Sequence, residues 1–239
     1  MAKTSKQGRM AIVSHEAIVQ TRYLDSVRVW TIGIGHTAAA GGLDPRDFKG
    51  ALTVAQVLNL FDEDLPKYEA DVSRLVKVPL RQYQFDALVS FHFNTGKLGK
   101  STLLRRVNAG DFKGAEREFD KWHIPASVKG RRDSEKLLFG EGIYPAPFAN
   151  IYPATAAGKI LWGKGRRIDL RPFFDEVQVP TTTPAPTPAI DTHSQTTVEP
   201  VKMTPAKVEQ STKITKTGTA SIISLITAAV AAAWAYFVG

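Results

Sequence analysis

There is no cysteine among the 239 residues. Disulfides, thiolate metal sites, iron–sulfur clusters and a cysteine nucleophile are excluded together, and the redox compartment is left open. The five His are scattered without a metal-ligand spacing, so neither a metal nor another cofactor is expected. No run of five or more basic residues occurs, and no nucleic-acid-binding signature is present. The net charge of +8, from 31 Lys and Arg against 23 Asp and Glu, therefore suits polyanions in general, bacterial wall polymers and anionic lipid included. A nucleic-acid partner rests on charge alone and is not expected. The first ten residues are basic and polar with no apolar run behind them, so no secretory signal peptide is expected either.

With 43% apolar and 23% charged residues the composition is globular on average, but it is unevenly distributed. Residues 179–217 interleave Pro180, Pro184, Pro186, Pro188, Pro200 and Pro205 with Thr, Ala, Ser and Gln, which reads as a linker without a core of its own. Residues 218–239 carry no charge, with Lys213 and Lys216 before them and Trp234, Tyr236 and Phe237 near their end. About 20 such residues at ~1.5 Å each cross a hydrocarbon layer of ~30 Å, so one transmembrane helix is expected here. Its small face of Ser224, Ala228 and Ala232 allows helix-mediated self-association.

Residues 1–178 read as one mainly helical α+β domain. A first helix is expected over Ala11 to Gln20. A small N-terminal β-hairpin follows, from Tyr23-Leu-Asp25 and Val29 to Ile34. Thr53 and Gln56 stand in capping-box spacing at the head of a long helix carrying Val57, Leu58, Phe61, Leu65, Tyr68 and Val72, with Pro66 a point of kinking. A central helix through Phe85, Leu88, Val89 and Phe91 stops near Asn94-Thr-Gly96. Shorter helices follow at Ser101 to Asn108, Asp111 to Trp122 and Gly130 to Phe139, the last ending at Gly140. Residues 142–174 read as loops with a small hairpin around Ala157-Gly158.

Three polar residues gather around the N-terminal hairpin: Glu16 near the end of the first helix, Asp25 at the hairpin entrance and Thr31 on the returning strand. Glycosidic hydrolysis needs one protonated carboxyl to donate to the leaving oxygen and one ionised carboxylate to activate water; a separation of about 6.5–9.5 Å gives inversion. A threonine hydroxyl both donates and accepts, and so can orient that water. On spacing alone, two ordinary surface carboxylates and a strand threonine are the favoured reading.

The run His15-Glu16, Tyr23-Leu24-Asp25 and Val29-Trp-Thr31-Ile-Gly-Ile-Gly-His36-Thr37 resembles the phage-type lysozymes, glycoside hydrolase family 24. A second block is similar in the same order: Gln84 to Phe91, Phe93-Asn94-Thr-Gly96, Ser101 to Leu104, Asn108 to Asp111 and Arg131-Arg132-x-x-Glu135. The resemblance spans residues 11 to about 140, leaving 141–178 as an extension. It implies a two-lobed lysozyme-like fold and an endolysin cutting the β-1,4 bond between N-acetylmuramic acid and N-acetylglucosamine in peptidoglycan. It further implies that Glu16 is the general acid, that Asp25 and Thr31 activate water, and that Arg131 or Arg132 pairs with Glu16. The family usually has Gly where this chain has Ala17, and often Gly where it has Arg28. His36 reads as a structural histidine paired with a carboxylate, and His92 as a core residue; Trp122 and Trp162 suit packing or sugar stacking. The positive-inside rule then implies a tail-anchored enzyme at the host inner membrane, its domain cytoplasmic until release to the periplasmic wall for host lysis. The alternative is a membrane-tethered muramidase-like scaffold without catalysis.

Overall fold

The structure, a computed structural model, describes residues 2–175. Helix α1 (Lys6–Ser14) starts where the Ser5 side chain accepts a hydrogen bond from the Gly8 amide, and it buries Met10 to Val13. The first helix therefore lies earlier than the expected Ala11 to Gln20. Ile18, Val19 and Thr21 belong instead to strand β1 (Ala17–Leu24), because β-branched side chains pack best on a pleated surface.

The reciprocal Thr53–Gln56 capping box opens α2 (Val54–Asp64) as expected. The long helix divides at Leu65, and α3 (Pro66–Leu75) begins on the proline, whose missing N–H costs nothing in a first turn. Central helix α4 (Gln82–Thr95) ends at left-handed Gly96 and packs against α1, α3 and α7. Phe85, Ala87, Leu88, Val89 and Phe91 make it the middle of the core, and Phe91 meets Phe119 and Trp122 edge to face. Trp122 thus serves packing. Helices α5 (Thr102–Asn108) and α6 (Phe112–Glu118) follow, with a 3-10 turn through Trp122. Helix α7 (Lys129–Glu141) passes through Gly140 and closes at Gly142, whose φ of 73° suits a glycine cap better than an interior Gly140 would.

The sheet is larger than the expected hairpin. Strands β2 (Trp30–Gly33) and β3 (His36–Thr37) extend it on one side, β4 (Phe148–Ile151) and β5 (Arg166–Asp169) on the other, in the order β3-β2-β1-β4-β5. Pairing of β1 with β4 is parallel, with Ala17 opposite Asn150 and Ile18 opposite Ile151. Residues 142–174, expected as loops, thus supply two strands and the short α8 (Arg171–Asp175). Four-residue strands give too little alternation to stand out in sequence.

The expected turn at Ala157-Gly158 is present beside an Ala154–Ile160 bridge. Gly158 has φ of 83°, and a Cβ there would sit 2.8 Å from the Trp30 ring and 2.9 Å from the Leu24 nitrogen. Only glycine permits that contact, through which the Leu24 amide donates to the Gly158 carbonyl at 2.8 Å. Buried Asp86 also ties the extension down, accepting from Tyr144 Oη at 2.7 Å and from Ser5 N at 3.0 Å. No helix among the described residues is long and apolar enough to cross a membrane. The expected linker at 179–217 and transmembrane helix at 218–239 lie outside the described residues.

Candidate active site

Strands β1 and β2 are joined by the loop 26–28. The Asp25 amide donates to the Val29 carbonyl and the Arg28 amide to the Asp25 carbonyl, each at 3.0 Å. Asp25 Oδ1 accepts from the Val27 and Val29 amides at 2.9 and 2.7 Å, so the side chain folds back over its own turn. Three-residue hairpin loops place their last residue in the left-handed region, and Arg28 stands there with φ of 63°. The turn keeps its form although the residue is not glycine.

This leaves Asp25 Oδ2 buried with no hydrogen bond from the protein. Thr31 is fully buried on β2, and its hydroxyl donates to the Val29 carbonyl at 3.0 Å, leaving its lone pairs to accept. Tyr23 lies within electrostatic range of both carboxylates; burial, then the charges of Glu16 and Asp25, push its phenol up.

Glu16 follows the C-terminal cap of α1, and its carboxylate meets Arg131 of α7. Of the two arginines left open by the sequence, Arg131 is the partner. Arg131 Nε also donates to Glu135 Oε1 at 2.9 Å and Nη2 to the Ser90 carbonyl at 3.1 Å, while Ser90 Oγ donates to Glu135 Oε1 at 2.7 Å. Arg132 closes the chain by donating to Glu135 and Asn94. Two arginines and two glutamates are buried together at zero net formal charge, which is how a protein interior tolerates ions. The Ser90–Glu135 part of this network was missed in the sequence; its one signal was the Arg131-Arg132-x-x-Glu135 spacing on one helix face.

Burial raises the Glu16 pKa above the usual carboxylate range, and the charge and hydrogen bond of Arg131 pull against it without cancelling it. Burial, then the charges of Arg131 and Arg132, hold neighbouring His15 well below its ordinary value, so it is neutral. A cavity of about 630 Å³ opens at Glu16, lined also by Asn94, Ser127, Arg131 and residues of β4, β5 and the segment between them. Asp25 and Thr31 are not in its lining.

His36 stands apart from this chemistry. Its Nδ1 is 2.9 Å from Asp64 Oδ2 and its Nε2 2.8 Å from the Leu43 carbonyl, two acceptors that call for two ring N–H groups. His92 is buried, and its Nε2 lies 3.1 Å from the half-exposed Asp71. Among the described residues no three His, Asp or Glu converge in a metal-holding group.

A mainly helical domain with a small sheet, and a buried carboxyl of raised pKa at a cavity of this size, suit a glycoside hydrolase of the lysozyme type. The phage lysozyme family model matches residues 13–135, just over half of the chain. The chain belongs to the phage lysozyme family and is a muramidase. It is 38% identical over 138 residues to the SAR-endolysin of Escherichia phage Mu, covering 55% of this chain and 77% of that one. To the endolysin of Salmonella phage P22 it is 35% identical over 147 residues, covering 58% and 99%. Among solved structures, the muramidase domain of SpmX from Asticaccaulis excentricus superposes with a TM-score of 0.53 at 34% identity, covering 59% of this chain and 99% of that one. These likenesses do not favour a scaffold without catalysis.

Proposed function

We propose that Glu16 is the general acid and that Asp25 with Thr31 activates the attacking water in hydrolysis of the β-1,4 bond between N-acetylmuramic acid and N-acetylglucosamine. The observation that carries this is the unequal setting of the two carboxyls. Glu16 is held toward its protonated form by burial, whereas Asp25 is fixed by two amides through Oδ1 with Oδ2 uncommitted. Glu16 gives its proton to the glycosidic oxygen as the bond from C1 breaks. Asp25 accepts a proton from water as the water oxygen bonds C1, and the Thr31 hydroxyl orients that water.

The chemical test is muropeptide release from purified peptidoglycan by the protein and by Glu16→Gln. Loss of a general acid is expected to cost about 10²–10⁴ in kcat. Reducing-end muramic acid must appear with the first and fall by that factor with the second; unchanged release by Glu16→Gln would remove Glu16 from the reaction.

We further propose host cell lysis as the biological role, with 1–178 the catalytic domain, 179–217 a linker and 218–239 a membrane anchor that tethers the enzyme until release. The charge-free run from Gly218 and the preceding Lys213 and Lys216 support this reading. Fractionation of expressing cells is expected to recover the protein with membranes; an entirely soluble protein would overturn the tether.

A further inference from the structure

The cavity beside Glu16 has two walls of different origin. One comes from the start of α7, inside the segment that matches the family model; the other comes from residues 145–167, beyond that match, which ends at 135. Strand β4 builds much of the second wall: Phe148, Ala149 and Asn150 line the cavity and Ile151 turns into the core, with Arg167 opposite Asn150 on β5.

Two side chains give this wall the chemistry of a binding surface. Trp162 is half-buried in the lining, braced by Tyr152 with ring centroids 4.9 Å apart at 67°. An aromatic ring so held offers a flat apolar surface that matches the apolar face of a pyranose. Arg167 is exposed, lies 4.4 Å over the Phe148 ring, and has no carboxylate partner among the described residues. Arg131 on the opposite wall is committed to Glu16 and Glu135, so Arg167 is the cation left to meet a ligand. Its planar fork suits a carboxylate, and its position over a ring restricts it beforehand. Ser127 Oγ, buried without a protein partner, lies in the same lining and can serve a sugar hydroxyl. At about 630 Å³ the cavity is of a size that holds a small glycopeptide.

We propose that this wall is a subsite for the peptide-bearing part of the glycan, in which Trp162 stacks on a sugar and Arg167 binds a carboxylate of the stem peptide. The proposal rests on the muramidase reading and adds a specificity to it.

The test is calorimetric titration of the full chain with N-acetylglucosaminyl-N-acetylmuramic acid bearing a stem peptide, and with the same compound after amidation of its peptide carboxyls. Neither compound contains the muramidase-sensitive bond, so binding is read without hydrolysis. The free acid is expected to bind about tenfold tighter than the amide, Arg167→Gln to erase that preference, and Trp162→Ala to weaken both ligands about fivefold. Equal binding of acid and amide, or a preference that survives Arg167→Gln, would overturn the carboxylate site. Unaltered binding by Trp162→Ala would overturn the stacking, as would faster wall hydrolysis by that variant, which would make the wall an obstruction. Failure of the muramidase reading would show elsewhere, as absence of product from peptidoglycan.

Discussion

Glu16 and Arg131 form an ion pair in which each side chain is 6% exposed. Desolvation favours the neutral carboxyl and the guanidinium favours the charged one; desolvation is the larger effect, and the nearby charge of Glu135, which shares Arg131 with Glu16, acts in the same direction. The acid is thus held against a cation while burial keeps its pKa above the ordinary carboxylate value.

That balance sets a pH limb. Activity is expected to fall as pH rises through the Glu16 pKa, which lies above the ordinary 4.5. Arg131→Gln removes the opposing charge and moves this limb to higher pH. A kcat/KM profile of both proteins is the check, and a limb that stays in place would separate Arg131 from the acid.

Glu135 is the one carboxylate among the described residues bonded to both buried arginines, so Glu135→Ala leaves uncompensated charge in the interior. Breaking a buried pair this way costs about 3–5 kcal/mol. Urea denaturation is expected to show that loss, and a loss below ~1 kcal/mol would mean that water reaches the network.

Arg28 holds a left-handed conformation on an exposed turn. Arg28→Gly relieves about 1 kcal/mol of strain at such a position. The expected result is a higher thermal midpoint with the same products from peptidoglycan; a lower midpoint would show that the arginine side chain stabilises the hairpin.

Burial opposes protonation of His36, but the bond to Asp64, the bond to the Leu43 carbonyl and the Asp64 charge outweigh it and raise the imidazole pKa above 6.5. The folded chain therefore binds this proton more tightly than the unfolded chain. Its contribution is fully present below about pH 6.5 and is lost as pH rises through the folded pKa. A charge-assisted hydrogen bond of this kind is worth about 1.5–3 kcal/mol. Asp64→Asn is expected to flatten the stability profile over that window, measured by denaturation at stepped pH.

The helical half was legible because its signals are local: Thr53 with Gln56, Pro66, and the apolar run through α4 each act within a few residues. Glu16, Asp25 and Thr31 were singled out by the resemblance of the run around them to the phage-type lysozymes, since their spacing around one turn favoured ordinary surface and strand residues. An arginine partner for Glu16 was legible only as a choice between Arg131 and Arg132, and Glu135 and Ser90, which hold Arg131 in turn, were not, since they come together through the packing of α4 against α7. The wall from 145–167 was hidden for a related reason. The alternation of Phe148 and Asn150 against Ala149 and Ile151 spans four residues, and a strand that short is defined by its partner, here β1.

That partnership also imposes an order on the protein's synthesis. The edge of β1 beside Glu16 stays open until the ribosome has made Ile151, so a nascent or truncated chain ending before it carries Glu16 on an unprotected strand edge. Such pairing of distant segments forms slowly and late. A hydrolase of bacterial walls thereby acquires its finished cavity after most of its length has been translated.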